Sequence, residues 1–203
     1  MDDDERLATD LAHDLDGAFE RVVTAHADRL YSIALRMLVD PRDAEEAAQD
    51  ALVRAYRAIA SYEPDRIVSI QLRPWLATIV LNLCRTRAGR RARRGAPPLS
   101  LDVASEERAA TIAEPAAPVH QGPIAIAERG FARDAWAARL AAVPTQYRAA
   151  LVLRHVDGLS YPEVARVLGR PEGTVKAQVH RGIAILKTML ESEARLEQQE
   201  MTA

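Results

Sequence analysis

Residues Ser160–Leu190, SYPEVARVLGRPEGTVKAQVHRGIAILKTML, decide the fold. They read as a short helix, a tight turn and a longer helix. Ser160 followed by Glu163 makes a capping box, in which the hydroxyl accepts an orphan backbone N–H and the carboxylate reaches back. Pro162 is tolerated because first-turn amides have no intrahelical partner. Val164 and Leu168 face inward, Ala165 lets a crossing helix approach, and Gly169 suits the left-handed turn. Pro171 opens the second helix, where Val175, Val179, Ile183, Leu186 and Leu190 recur at helical spacing. Its opposite face carries Thr174, Ala177, Arg181 and Ala184, flanked by Lys176, Gln178 and His180. A helix-turn-helix has this layout, with its second helix in the major groove. An ordinary helical hairpin with a solvated face is the alternative. The capping box, Ala165, Gly169 and the small-residue-plus-arginine face favour DNA binding.

Working back from this stretch, PTQYRAALVLRHVDGL reads as one helix through Tyr147, Leu151, Val152 and Val156, closed by Asp157-Gly158. Before it, Trp136, Leu140 and Val143 lead to Pro144. Gly95 to about Ile126 is rich in Ala, Pro and acids without sustained periodicity, and reads as a flexible linker. Residues 193–203 read as an acidic helical tail.

The first half is helical too. A pattern from Leu15 through Phe19, Val22, Val23, His26, Leu30, Ile33, Ala34, Met37 and Leu38 stops at Asp40-Pro41. The same pair starts the next helix, with Asp40 as N-cap and Pro41 at the first position. That helix should bury Ala44, Ala48, Leu52, Ala55 and Ile59, and point Glu46, Gln49, Asp50, Val53 and Arg57 outward. Acids in its first half and arginines in its second suit either the helix macrodipole or a protein-docking surface. Tyr62 to Gln71 reads as a loop. In LRPWLATIVLNLCRTRAGRRARR, Leu72, Leu76, Ile79 and Leu83 form a core stripe beside a second stripe of Trp75, Thr78, Asn82, Arg85 and Thr86. Trp75 alone reads as core. An aromatic, an amide and hydroxyls at one-turn spacing, leading into arginines, also suit holding an unstacked base of a single strand.

Composition narrows the classes. In 203 residues, strand-forming runs are scarce, which predicts an all-α protein of one or two modest domains. No apolar run is long enough to span a bilayer, and the start MDDDERLATD is acidic, so a cytoplasmic protein is expected. Cys84 is the sole cysteine, and the five histidines lack ligand spacing, so neither disulfide nor metal nor other cofactor is expected. The net charge of −2 hides segregation. Residues 73–94 hold seven arginines and no acid, while residues 136–190 hold eight bases against three acids. Two basic islands on an acidic chain imply two contacts with a polyanion.

DAEEAAQDALVRAY at Asp43–Tyr56, LRPWLATIVLNLCR at Leu72–Arg85 and the run from Leu140 to Lys187 together resemble bacterial RNA polymerase sigma factors. The resemblance is to the extracytoplasmic-function (ECF) group, which keeps only conserved regions 2 and 4. It covers about Ala18–Arg94 and Ala135–Leu190. It implies an acidic arm (1–14), a region 2 helical bundle (15–94), a linker (95–130), a region 4 helix-turn-helix domain (131–192) and an acidic tail (193–203). It further implies that Asp43, Glu46, Gln49, Asp50 and Arg54 bind core RNA polymerase. Trp75, Asn82 and Arg85 would bind the melted minus-ten element, with residues 62–72 forming much of a base pocket. Thr174, Lys176, Ala177, His180 and Arg181 would bind the minus-thirty-five element. The linker would thread near the polymerase active centre, and an anti-sigma factor would control the whole. Thr78 departs from an arginine common in the family, and positions 177 and 180 carry Ala and His where serine and aromatic or His side chains are common.

A sigma factor has no catalysis of its own. A stand-alone helix-turn-helix regulator is the alternative, and would bind an operator without polymerase. An enzyme acting on DNA would need clustered carboxylates, and Asp43, Glu45 and Glu46 point to different faces of their helix.

Overall fold

The computed structural model describes residues 3–93 and 135–201, and among them there is no β-strand. The predicted linker over 95–130 therefore lies outside the described residues. The helices are α1 (Asp3–His13), α2 (Leu15–Leu38), α3 (Pro41–Ile59), α4 (Pro64–Val68) and α5 (Leu72–Arg93). A second set follows: α6 over 135–142, α7 (Thr145–Leu151), a π-helical turn (Val152–Val156), α8 (Tyr161–Leu168) and α9 (Glu172–Glu200).

In the first unit α2, α3 and α5 pack on one another. Local chemistry sets their ends. The Asp14 carboxylate caps α2 by accepting from Gly17 N at 3.0 Å, and Asp40 Oδ1 caps α3 by accepting from Arg42 N and Asp43 N. Between those caps α2 closes on Val39, whose φ of 68° is a strained choice for a β-branched residue. The buried face of α3 is nearly all alanine (Ala44, Ala47, Ala48, Ala51, Ala55), which admits its neighbours closely. Against it sit Leu30, Ile33, Leu72, Leu76, Val80 and Leu81, all at most 1% exposed. Each such side chain contributes roughly 1.5–3 kcal/mol of hydrophobic stabilisation.

Several expectations change here. On α5 the core is wider than the predicted stripe: Ala77, Val80, Leu81 and Cys84 are buried, while Ile79 is only partly so. Helices pack on more than one side of α5, so a single stripe could not describe it. Burial pushes the Cys84 thiol up to about 12. The predicted loop at Tyr62–Gln71 contains α4, started by Pro64 and anchored by buried Ile67. The acidic beginning forms α1, which buries Leu7, Ala8 and Leu11 against its neighbours. There Asp4 Oδ1 lies 3.3 Å from Nε2 of buried His26. Burial, only partly opposed by Asp4, lowers the imidazole pKa below its ordinary 6.5.

In the second unit the capping box is complete, with Ser160 N donating to Glu163 Oε2 at 2.7 Å and Glu163 N to Ser160 Oγ at 3.4 Å. Gly169 adopts the left-handed turn at φ 62°. Leu168 is only partly buried, and Val167 fills the core position. The helix expected to run evenly through Val156 changes at Val152 to a π turn closed by Asp157 N donating to Val152 O. Val156 is exposed as a result.

On α9 the inner stripe also differs. Val175, Val179 and Leu186 are buried as expected, but Ile183 and Leu190 are 43% and 42% exposed. Successive residues turn by about 100°, which puts residues 175, 182 and 186 on one line and carries 183 and 190 off it. Gly182 occupies that line because α7 presses there: an added Cβ would sit 2.6 Å from Leu151 Cδ1. The same rotation draws Gln178, expected on the flank, to 6% exposure.

The two units touch, α8 packing on α5 and the π turn on α2. Gly182→Val should lower unfolding stability by about 1–3 kcal/mol through overpacking against Leu151. Gly89→Ala, where an added Cβ meets only the Arg93 guanidinium at 3.9 Å, should be neutral or stabilise by up to about 1 kcal/mol. Calorimetric melting of the two variants reads the contrast, and an unshifted Gly182→Val melt would refute the close approach of α7 and α9.

Candidate nucleic-acid interface

Three side-chain groups stand out on these units. The first lies on α5. Trp75 is half-buried in its first turn and meets the Tyr62 ring edge-on, with centroids 6.5 Å apart at 60°. The Arg66 guanidinium covers the Tyr62 ring at 3.7 Å. The segment before α5 and the helix itself are thereby tied by a cation–aromatic–aromatic stack. Asn82 follows seven residues after Trp75, almost directly above it on the helix. It is exposed and accepts from Arg85 Nη1 at 3.3 Å. Thr78 Oγ1 instead donates to Pro74 O at 2.9 Å, inside its own helix. This face offers a flat ring, an amide and a guanidinium, the equipment that stacks and holds an unpaired base. Tyr62 and Arg66 have no pattern of their own in the sequence, and only the resemblance points to residues 62–72 as part of a pocket. Only the return of α4 towards α5 brings them to Trp75.

The second group is the outer face of α3. Glu46, Gln49, Asp50 and Arg54 are exposed and Asp43 is half-buried. Two of these acids share one arginine: Arg87 donates through Nη1 to Glu46 Oε2 at 2.9 Å and through Nη2 to Asp50 Oδ2 at 2.7 Å. Arg91 Nη1 lies 3.6 Å from Asp43 Oδ2. Burial disfavours the charged Arg87, but the two carboxylates outweigh it and raise its pKa. The arginine run thus divides its labour. Arg87 and Arg91 turn to α3, while Arg85, Arg90 and Arg93 remain exposed. Contacts some forty residues apart in the chain leave no local signature.

The third group is the exposed face of α9: Thr174, Lys176, Ala177, His180 and Arg181 are all exposed. Thr174, Ala177 and Arg181 border a cleft completed by Gln146, Tyr147 and Gln178. Gln178 Oε1 is buried there without a hydrogen-bond partner among the described residues. Lys176 pairs with Glu172 at 2.7 Å, which raises its pKa, and lies 5.5 Å from the Tyr161 ring centroid. Arg154 packs over the same ring at 5.0 Å. The arrangement presents cations and short polar side chains on one convex helix, which suits a duplex groove.

Known proteins resemble both units of this chain. Residues 22–94 match the family model of sigma-70 region 2, and residues 133–186 match that of sigma-70 region 4. The ECF RNA polymerase sigma factor SigW of Bacillus subtilis is 31% identical over 175 residues, covering 85% of this chain and 89% of that protein. SigE of Mycolicibacterium smegmatis, also an ECF RNA polymerase sigma factor, is 31% identical over 173 residues. That alignment covers 85% of this chain, which spans only 62% of the SigE length. Among solved structures, CnrH in complex with the cytosolic domain of CnrY superposes with a TM-score of 0.65 at 25% identity, covering 94% of this chain and 99% of that one.

Arg87→Ala should cost about 1 kcal/mol of stability at low ionic strength, since it removes two partly exposed ion pairs at once. The loss should shrink in high salt. Urea unfolding at two salt concentrations measures it, and a salt-independent loss would mean that Arg87 acts by packing alone.

Proposed function

The chain belongs to the ECF RNA polymerase sigma factors, and from that premise we propose that it binds core RNA polymerase and directs promoter-specific transcription initiation. The observation that carries the reading is the pairing of two unlike surfaces on two units. One bears an aromatic ring, an amide and arginine on α5, suited to opened strands. The other is a convex basic helix after a capped turn, suited to duplex.

Trp75, Asn82 and Arg85 hold the melted minus-ten strand in this scheme. Tyr62 and Arg66 wall the pocket that receives a flipped base. Thr174, Lys176, Ala177, His180 and Arg181 read the minus-thirty-five duplex. Lys176 and Arg181 supply phosphate or base-edge contacts, while Ala177 leaves room for a base edge. Asp43, Glu46, Gln49, Asp50 and Arg54 dock on the polymerase. The protein catalyses no reaction itself, since the polymerase makes the RNA, and its place is the cytoplasm beside that enzyme. No helix among the described residues is long and apolar enough to cross a membrane.

Each DNA contact is small, so binding through one unit alone is weak. Polymerase that carries both units raises the effective concentration of the second contact once the first has formed. A stand-alone regulator would leave the α5 surface without a role. An anti-sigma factor is the expected controlling partner, and CnrH, of the same fold, is known in complex with a cytosolic domain of another protein.

Run-off transcription with core polymerase over a promoter library tests the reading. Trp75→Ala and Asn82→Ala should each cut open-complex formation at least about ten-fold while polymerase affinity stays within about two-fold, a loss of interactions made only with the melted strand. Lys176→Ala should lower the salt slope of duplex binding by about one. Normal melting by both α5 variants would overturn the site assignment.

A further inference from the structure

Helix α1 lies outside the stretch that matches sigma-70 region 2, which begins at residue 22. It is nonetheless fastened to the bundle. Leu7, Ala8 and Leu11 are buried in the same core cluster as the residues of α2, α3 and α5. Asp10 Oδ2 accepts from Arg21 Nη2 at 2.7 Å, and Asp4 Oδ1 lies 3.3 Å from Nε2 of His26 on α2. Ala8 is 0% exposed, so a longer side chain there has to push its neighbours aside.

The element that depends on α1 is α4. A helix of 5 residues cannot hold its shape by its own hydrogen bonds, and Glu63 at its start makes no side-chain cap bond. Ile67 is the side chain that α4 buries. Among the described residues, α1 is the helix that packs broadly on α4. The outward side of α4 carries Arg66, which covers the Tyr62 ring at 3.7 Å. That ring meets Trp75 edge-on. Trp75 is held by the packed α5, whereas Arg66 stands on α4, and α4 stands on α1.

We propose that α1 is a positioning element of the minus-ten pocket: by supporting α4 it sets Tyr62 and Arg66 against Trp75, and so governs which flipped base the pocket accepts. This rests on the pocket assignment made above and adds to it a helix outside the matched region. A flipped base is selected by the fit of the walls around it. A wall that shifts loosens its hold on the right base and admits the wrong ones. Among the described residues α1 makes no broad contact with α3, so the proposed docking face of α3 is left as it is.

The test uses the full chain in two variants that spoil the same packing from opposite sides. Ala8→Leu overfills the α1 face, and Ile67→Ala empties the α4 face; either suffices should the other fold poorly. Run-off transcription with core polymerase compares four versions of a cognate promoter that differ only at the flipped base of the minus-ten element. The unaltered chain should favour the best base over the worst about ten-fold, and each variant should flatten that preference to within about three-fold. Polymerase affinity and preference at the minus-thirty-five element should stay as they are. A readout without polymerase accompanies this one. In a Trp136→Phe chain Trp75 is the sole tryptophan, and its emission should shift to the red in both variants as Tyr62 withdraws. An unaltered base preference would overturn the proposal, as would an unmoved Trp75 emission or an equal loss on all four templates. Trp75→Ala separates the causes of failure. Normal melting by that variant means that the pocket assignment itself is wrong, whereas lost melting beside an unaltered preference in the α1 and α4 variants rejects the role of α1 alone.

Discussion

Helix α5 has to stay dry along one side and, in the proposed function, meet a nucleic-acid strand along another. Leu72, Leu76, Ala77, Val80, Leu81 and Cys84 lock the dry side, each at most 1% exposed. In a close-packed interior such a helix can neither rotate nor slide without opening voids. The wet side is thereby aimed: Trp75 and Asn82 stand in line two turns apart, with Arg85 beside them. A base-holding surface works only if its groups are placed before the strand arrives, and here the placement comes from hydrophobic packing. The alanine face of α3 has the same purpose, since larger side chains would push α5 outward.

Charge is arranged to the same end. The arginines at the end of α5 would form one undivided cationic patch if Arg87 and Arg91 did not turn towards the acids of α3. That pairing leaves the outer face of α3 nearer to neutral and confines the exposed cations to Arg85, Arg90 and Arg93. The second unit keeps its own cations on α9, with Lys176 restrained by Glu172. Free-standing attraction to DNA is modest in such a design. Sequence preference then depends on a larger enzyme carrying both surfaces to their places.

How much of this was legible beforehand divides by range. The capping box of Ser160 and Glu163, the left-handed turn at Gly169 and the Asp40-Pro41 boundary are written within a few residues, because each satisfies its own backbone groups locally. The exposed residues of α9 could be named from helical period alone. On its buried side Val175, Val179 and Leu186 lie as expected, but Ile183 and Leu190 do not, and Gly182 takes a place there. Gly182 faces Leu151 for lack of a side chain, and an apolar pattern passes over a glycine. The π turn at Val152–Val156 has no compositional mark. Nor could α1 be anticipated in full, since Leu7, Ala8 and Leu11 are a short stripe among acids. The contacts of Tyr62, Arg66 and Arg87 depend on chain returns of many residues, and no local pattern announces them.

The central claim is that these surfaces open and read a promoter only when mounted on polymerase. Permanganate reactivity of unpaired thymines in the minus-ten element measures this most directly. The account predicts reactive thymines when promoter, core polymerase and this chain are all present, and none when either protein is omitted. Thymines that react with the chain alone, or stay protected with the full assembly on its cognate promoter, would contradict it.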